Sequence, residues 1–170
     1  MFPTRRFTVA TFVSICLVSA FALNLPASAQ THSAPTAATT TFVDVIPNLV
    51  ASDVGRSMAF YRDVLGFTVT QTVPEKAPFV FAWMQRGPVV IFLNDQAVAK
   101  KDMPAVGTRP LGGSLTIYIS VKGIDALHAS IATRATVTMP LTTMPYGMRE
   151  FAVKDPDGYI VQFAEDVSGK

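Results

Sequence analysis

Apolar and polar positions along this chain follow two rhythms, and both occur twice. A strand pattern ends near Ala51, and Val54, Met58, Tyr61 and Leu65 then recur at helical spacing. Asp53 stands as an N-cap before them and Gly66 as a stop after them. Further on, Leu115, Ile117, Ile119 and Val121 alternate as a strand whose apolar face a helix can cover. Ile124, Leu127 and Ile131 then recur as that helix. Near the end, "REFAVKDPDGYIVQFAED" (149–166) predicts a hairpin. Asp155, Pro156, Asp157 and Gly158 supply the turn, and Tyr159, Val161 and Phe163 make one face of the last strand, opposite Ile160, Gln162 and Ala164.

The two halves superpose when the sequence is shifted by 70 positions. Asp53 falls on Gly123, Val54 on Ile124 and Tyr61 on Ile131; "VVIFLND" falls on "YIVQFAE". Between helix and final hairpin, each half holds another Val/Thr-rich run, "FTVTQTV" and "ATVTMPLTT". Each half therefore reads β-α-β-β-β, an α+β fold of two tandem modules at about 42–96 and 112–166. Residues 95–113, with Lys100 and Lys101, are expected to be a connecting loop.

The first 29 residues stand outside this pattern. Arg5 and Arg6 precede an apolar run from Phe7 to Leu25, and Ala27 and Ala29 offer a small-residue cleavage site, so residues 1–29 read as a signal peptide. An uncleaved anchor is the alternative, but Thr8, Thr11, Ser14, Ser19 and Asn24 dilute the run. Residues 30–41, rich in Ala, Thr, Ser and Pro, read as a flexible linker before a domain at 42–170. Export to the periplasm or the medium is expected, with no membrane attachment after cleavage.

Removing Arg5 and Arg6 turns 14 basic against 12 acidic residues into 12 against 12. That balance argues against a nucleic-acid partner. The single cysteine, Cys16, lies in the signal, so the mature chain has no thiolate site.

Two βαβββ modules carrying "SDVGRSMAFYRDVLGF" early and "DPDGYIVQFAE" late resemble the vicinal oxygen chelate superfamily, which includes glyoxalase I, extradiol dioxygenases and bleomycin-resistance proteins. The resemblance covers about residues 42–166, and "VIPNLVASDV" and "PYGMREFAVKDPDG" look most like the bleomycin-resistance branch. It implies two curled sheets around a cleft and commonly a homodimer. It also implies that metal-binding members place His, Glu or Gln on the first and last strands of each module, which here are Ile46, Phe92, Thr116 and Gln162. One plausible donor in four does not make a catalytic metal site, which needs about three protein ligands. Neither a metal, another cofactor nor a catalytic residue is expected.

Strand alternation gives an expected cleft lining of Asn48, Phe81, Trp83, Phe92, Thr116, Tyr118, Arg149, Phe151 and Gln162. A four-residue turn at 155–158 puts Arg149 and Phe151 on the face of Gln162 and Glu150 on the other, leaving no carboxylate in the cleft. An apolar cleft with a few polar groups is what small-molecule sites look like. Trp83 and Phe92 are placed to stack an aromatic ligand, and Arg149 to meet a carboxylate or phosphate. For each aromatic, filling a closed core is the competing reading; for Arg149, it is a rim residue paired with Glu150 or Asp157.

The leading expectation is an exported, metal-free binding protein, a homodimer that sequesters a small, partly aromatic molecule. A carboxylate-free cleft would suit the cationic drug bleomycin poorly, and export would place the protein away from DNA. One alternative is a metal-dependent lyase, isomerase or dioxygenase using Gln162, Glu150 and His128. The other is an interaction module whose cleft is a packed core.

Overall fold

The computed structural model describes residues 40–169; the expected signal segment and residues 30–39 of the expected linker lie outside the described residues. From residue 43 the chain forms one compact unit. Its strands make two four-stranded sheets, neither closed. The first contains β1 (Asn48–Ala51), β2 (Thr68–Val73), β3 (Phe81–Arg86) and β4 (Val89–Asp95) in the order β1-β4-β3-β2. The second repeats that order with β5 (Thr116–Ser120), β6 (Thr136–Thr143), β7 (Met148–Lys154) and β8 (Ile160–Asp166), as β5-β8-β7-β6. In each sheet the first strand pairs parallel to the last and the other pairs are antiparallel. The architecture is the tandem βαβββ arrangement of an α+β protein.

Helix α1 (Val54–Ala59) continues through a π-helical stretch, Phe60–Val64. The Asp53 carboxylate caps it by accepting from the Arg56 N–H at 3.0 Å, and Gly66 leaves it at φ +70°. Val54, Met58, Tyr61 and Leu65 all point into the core. The connection between modules is not a plain loop: it forms α2 (Gln96–Asp102) and α3 (Pro104–Gly107). Asp95 accepts from the N–H groups of Ala97 and Val98, and Lys100 and Lys101 occupy the last turn of α2, where the helix dipole favours cations. In the second module α4 (Ile124–Ile131) buries Ile124 and Ile131.

The helix-covered faces of both sheets meet in one core. Leu49, Met84, Ile91 and Leu93 enter from the first sheet, and Ile117, Phe151, Val161 and Phe163 from the second. The β7–β8 turn then fastens the second module to α1. The Asp157 carboxylate accepts from Ser52 N–H and Oγ, from Ser57 Oγ and from Arg56 Nη2 at 2.6 to 3.1 Å. Burial alone would raise its pKa, but these donors outweigh burial and hold it below 3.8. Tyr61 Oη donates to Asp155 Oδ2 at 3.2 Å. Burial raises both of these groups, and the Asp155 charge lifts the Tyr61 phenol further.

Candidate functional site

The faces of the two sheets turned away from the helices carry the candidate chemistry. On the first sheet, Asn48 stands opposite Phe92 across the parallel pair, and Trp83 stands opposite Phe92 across the antiparallel one. Phe81 and Trp83 meet Phe92 edge-on, at 5.2 and 5.3 Å between ring centroids. The Asn94 amide donates to the Asn48 side-chain oxygen. Asn48, Phe81, Trp83 and Phe92 are thus brought together, and none belongs to the buried core. The buried indole N–H of Trp83 has no acceptor among the described residues. An unsatisfied buried donor costs about 1–3 kcal/mol.

On the second sheet Tyr118 stands opposite Gln162, while Thr116 lies at the strand's start opposite Ile160. The centre of this face is Glu150, only 3% exposed. Its Oε1 accepts from Tyr118 Oη at 3.3 Å, and its Oε2 from Tyr146 Oη at 3.2 Å and from Gln162 Nε2 at 3.0 Å. Desolvation and then the Glu150 charge raise both phenols above 10.0, so each stays protonated and donates. Tyr118 is half exposed and Tyr146 more so, which leaves the cluster open on one side.

Glu150 corrects the expected lining. Lys154 pairs with Ile160, not with Tyr159, so five residues close the turn. The fifth is Tyr159: its N–H donates to Asp155 Oδ1 at 2.8 Å and its C=O accepts from Asp155 N–H at 2.9 Å. One extra residue inverts the parity of β7. Phe151 therefore lies opposite Phe163 on the helix-covered face, fully buried, stacked on Phe163 at 5.0 Å and edge-on to His128. Arg149 also leaves the open face and pairs with Asp125 of α4 at 2.7 Å. The premise of a cleft face without a carboxylate falls with them.

Sequence reasoning put Glu150 on the wrong face and missed Tyr146. For Glu150 a signal existed: pairing the apolar positions Phe151 and Val153 with Val161 and Phe163 yields the correct register. Tyr146 sits in the β6–β7 connection, where no periodicity marks it.

The register also refines the family's metal positions. The residues facing each other across the parallel pairs are Asn48 with Phe92 and Tyr118 with Gln162, two pairs related by the 70-residue shift. Ile46 precedes β1. Among the described residues no three His, Cys, Asp or Glu side chains gather to hold a metal. Of Gln162, Glu150 and His128, the first two touch, whereas His128 packs on the other face of the sheet. A phenylalanine, neutral amides and phenols, and one carboxylate already engaged by three donors do not fit a divalent ion.

Comparison with known proteins agrees with the fold. Residues 40–163 match the model of the Glyoxalase/Bleomycin resistance protein/Dioxygenase superfamily. A bleomycin resistance protein of Geobacillus stearothermophilus is 30% identical over 132 residues, 72% of this chain and 96% of that protein. The bleomycin-binding protein of Streptomyces verticillus, solved with copper(II)-bleomycin, is 28% identical with a TM-score of 0.51, over 73% of this chain and 96% of that one. A glyoxalase/bleomycin resistance protein/dioxygenase structure from Nocardioides shares the fold at TM-score 0.63 and 20% identity, over 79% of this chain and 89% of that one.

Proposed function

Because this chain belongs to the glyoxalase/bleomycin resistance protein/dioxygenase superfamily, we propose that it is an exported, homodimeric binding protein. It sequesters a small, partly aromatic molecule carrying a cationic or hydrogen-bond-donating group, and it does so without a protein-bound metal. Superfamily membership alongside bleomycin resistance and bleomycin-binding relatives supports small-molecule binding. The observation that carries the finer reading is Glu150, a carboxylate almost removed from water yet on the open face of its sheet. A ligand ammonium or amide there replaces phenol donors that rotate away, while Phe81, Trp83 and Phe92 supply a surface for a flat ring.

Dimerisation is carried over from the family resemblance, whose members are commonly homodimers. In the proposed dimer the aromatic face of one subunit meets the acidic face of its partner. Export rests on the Arg5–Arg6 pair, the apolar run behind it and the Ala27-x-Ala29 site.

Trp83 is the only tryptophan in the chain, so its fluorescence reports on the first face directly. Titration with a panel of cationic aromatic molecules, copper(II)-bleomycin among them, is expected to give a saturable change for at least one. Flat titrations throughout, from a protein that is folded by circular dichroism, would overturn the binding reading. Equilibrium sedimentation checks the dimer, and a monomer at micromolar concentration would remove it.

A further inference from the structure

The internal repeat exposes a second site, away from the open faces. In the first module the outer edge of β1 is capped by the second module: Val50 N–H donates to Tyr159 Oη at 3.2 Å, and Tyr159 Oη donates to Val50 O at 3.1 Å. Beside that phenol, the Asp157 carboxylate sits on Ser52, Arg56 and Ser57 at the start of α1. Shifting forward by 70 carries Val50 to Ser120, Ser52 to Lys122, Arg56 to Ala126 and Ser57 to Leu127. Shifting back carries Tyr159 to Val89 and Asp157 to Gly87. The second junction therefore keeps the backbone N–H and C=O of Ser120 as receiving groups, puts Lys122, Ala126 and Leu127 where side chains hold Asp157, and has neither phenol nor carboxylate to fill it.

A cavity of about 500 Å3 lies there, lined by Pro88, Val89, Ser120, Lys122, Ala126 and Leu127, with Phe67 and Phe163 as aromatic walls. It is the unfilled counterpart of the Tyr159–Asp157 clasp. Strand parity aims its polar groups. Val121 N–H bonds Ala164 O, so along the parallel β5–β8 ladder Ile119 and Val121 face β8, and the N–H and C=O of Ser120 face the cavity. Val50, the counterpart of Ser120, turns the same two groups toward Tyr159. Charge also differs between the junctions, because Lys122 stands where Ser52 does and Arg86 lines the cavity too.

We propose that this cavity binds a small hydroxyaryl carboxylate. The ring hydroxyl bonds the Ser120 backbone as Tyr159 bonds Val50, the ring lies against Val89 and Leu127, and the carboxylate turns to Lys122 and Arg86. The site is separate from the open sheet faces and does not depend on their function.

The test uses 3-(4-hydroxyphenyl)propionate, with 3-phenylpropionate lacking the hydroxyl and tyramine lacking the carboxylate, followed by amide chemical shifts of the labelled protein. The hydroxy acid is expected to shift Ser120, Lys122 and Leu127 saturably, and each comparator to bind about tenfold more weakly. Val89→Tyr returns a phenol to the cavity and abolishes binding; Lys122→Glu weakens it about tenfold and decides the matter should Val89→Tyr fail to fold. Glu150→Gln leaves it unchanged. No saturation below about 10 mM overturns the proposal, as do equal affinities for the three probes or shifts centred on Tyr118 and Gln162. So does dissociation of a dimer by Val89→Tyr, which would show that a second copy of the chain fills the cavity.

Discussion

In the first module Arg86 pairs with Val89 across a two-residue turn, whereas in the second Lys154 pairs with Ile160 across five residues. Strand order is otherwise identical in the two sheets. The longer turn has two consequences. It reaches across to α1, where Asp155, Asp157 and Tyr159 bind the first module. It also sets the parity of β7, so that Glu150 faces outward and Phe151 inward. The short turn does neither: it leaves an apolar, aromatic open face on its own sheet and a cavity at the other junction. Loop length, more than strand composition, decides which side chains a repeat presents.

The sharpest way to break this comparison is to truncate one aromatic from each sheet. Phe151→Ala removes a fully buried ring and is expected to lower unfolding free energy by about 3–5 kcal/mol, read from urea denaturation. Phe92→Ala, on the open face, is expected to cost about 1 kcal/mol. Equal losses would mean that the open face is core after all.

Next in size is Asp157→Ala, which strips four donors of their acceptor at the module junction. Hydrogen bonds to charged groups are worth about 1.5–3 kcal/mol each and are not additive, so a loss of about 3 kcal/mol is expected. Its pH dependence has a definite sign. The folded-state pKa of Asp157 lies below 3.8, so its contribution is complete above 3.8 and fades as pH falls through the depressed folded value. The stability gap between the native protein and Asp157→Asn is expected to close in that acid window. A gap that does not narrow there would show that the carboxylate's charge contributes nothing to the clasp.

Gly112 offers a narrower test of how closely the connection packs on the long turn. It has φ +72°, and a Cβ there would stand 2.4 Å from the Gly158 carbonyl carbon. Gly112→Ala is expected to cost about 1–3 kcal/mol, while Gly87→Ala at the short turn, with φ +56° but open space around it, is expected to cost less. Smallest of all is Tyr118→Phe: one of three donors to Glu150 is lost, with about 1 kcal/mol or less in stability and a measurable change in ligand affinity.

Much of the fold was legible because burial imposes periodicity. Val54, Met58, Tyr61 and Leu65 had to share a helix face, and the 70-residue shift that relates the two halves also relates Asn48–Phe92 of the first sheet to Tyr118–Gln162 of the second. The first sheet's patch was legible for the same reason, since Trp83 and Phe92 lie beside a turn whose parity the sequence conveyed correctly. The second patch was not. Whether Asp-Pro-Asp-Gly closes with four residues or five depends on the Asp155 side chain taking the Tyr159 N–H, a choice composition does not reveal. The α2 helix was hidden by length: its seven residues are too few for a clear apolar stripe, although the Asp95 cap was there to be seen.

The most direct test of the account is isothermal calorimetry with the tightest-binding cationic aromatic ligand, comparing the native protein with Glu150→Gln. Saturable binding is expected that weakens at least about tenfold when the carboxylate is neutralised, with the fold intact. Undiminished affinity in Glu150→Gln would contradict it, because the carboxylate on the open face would then have no part in recognition.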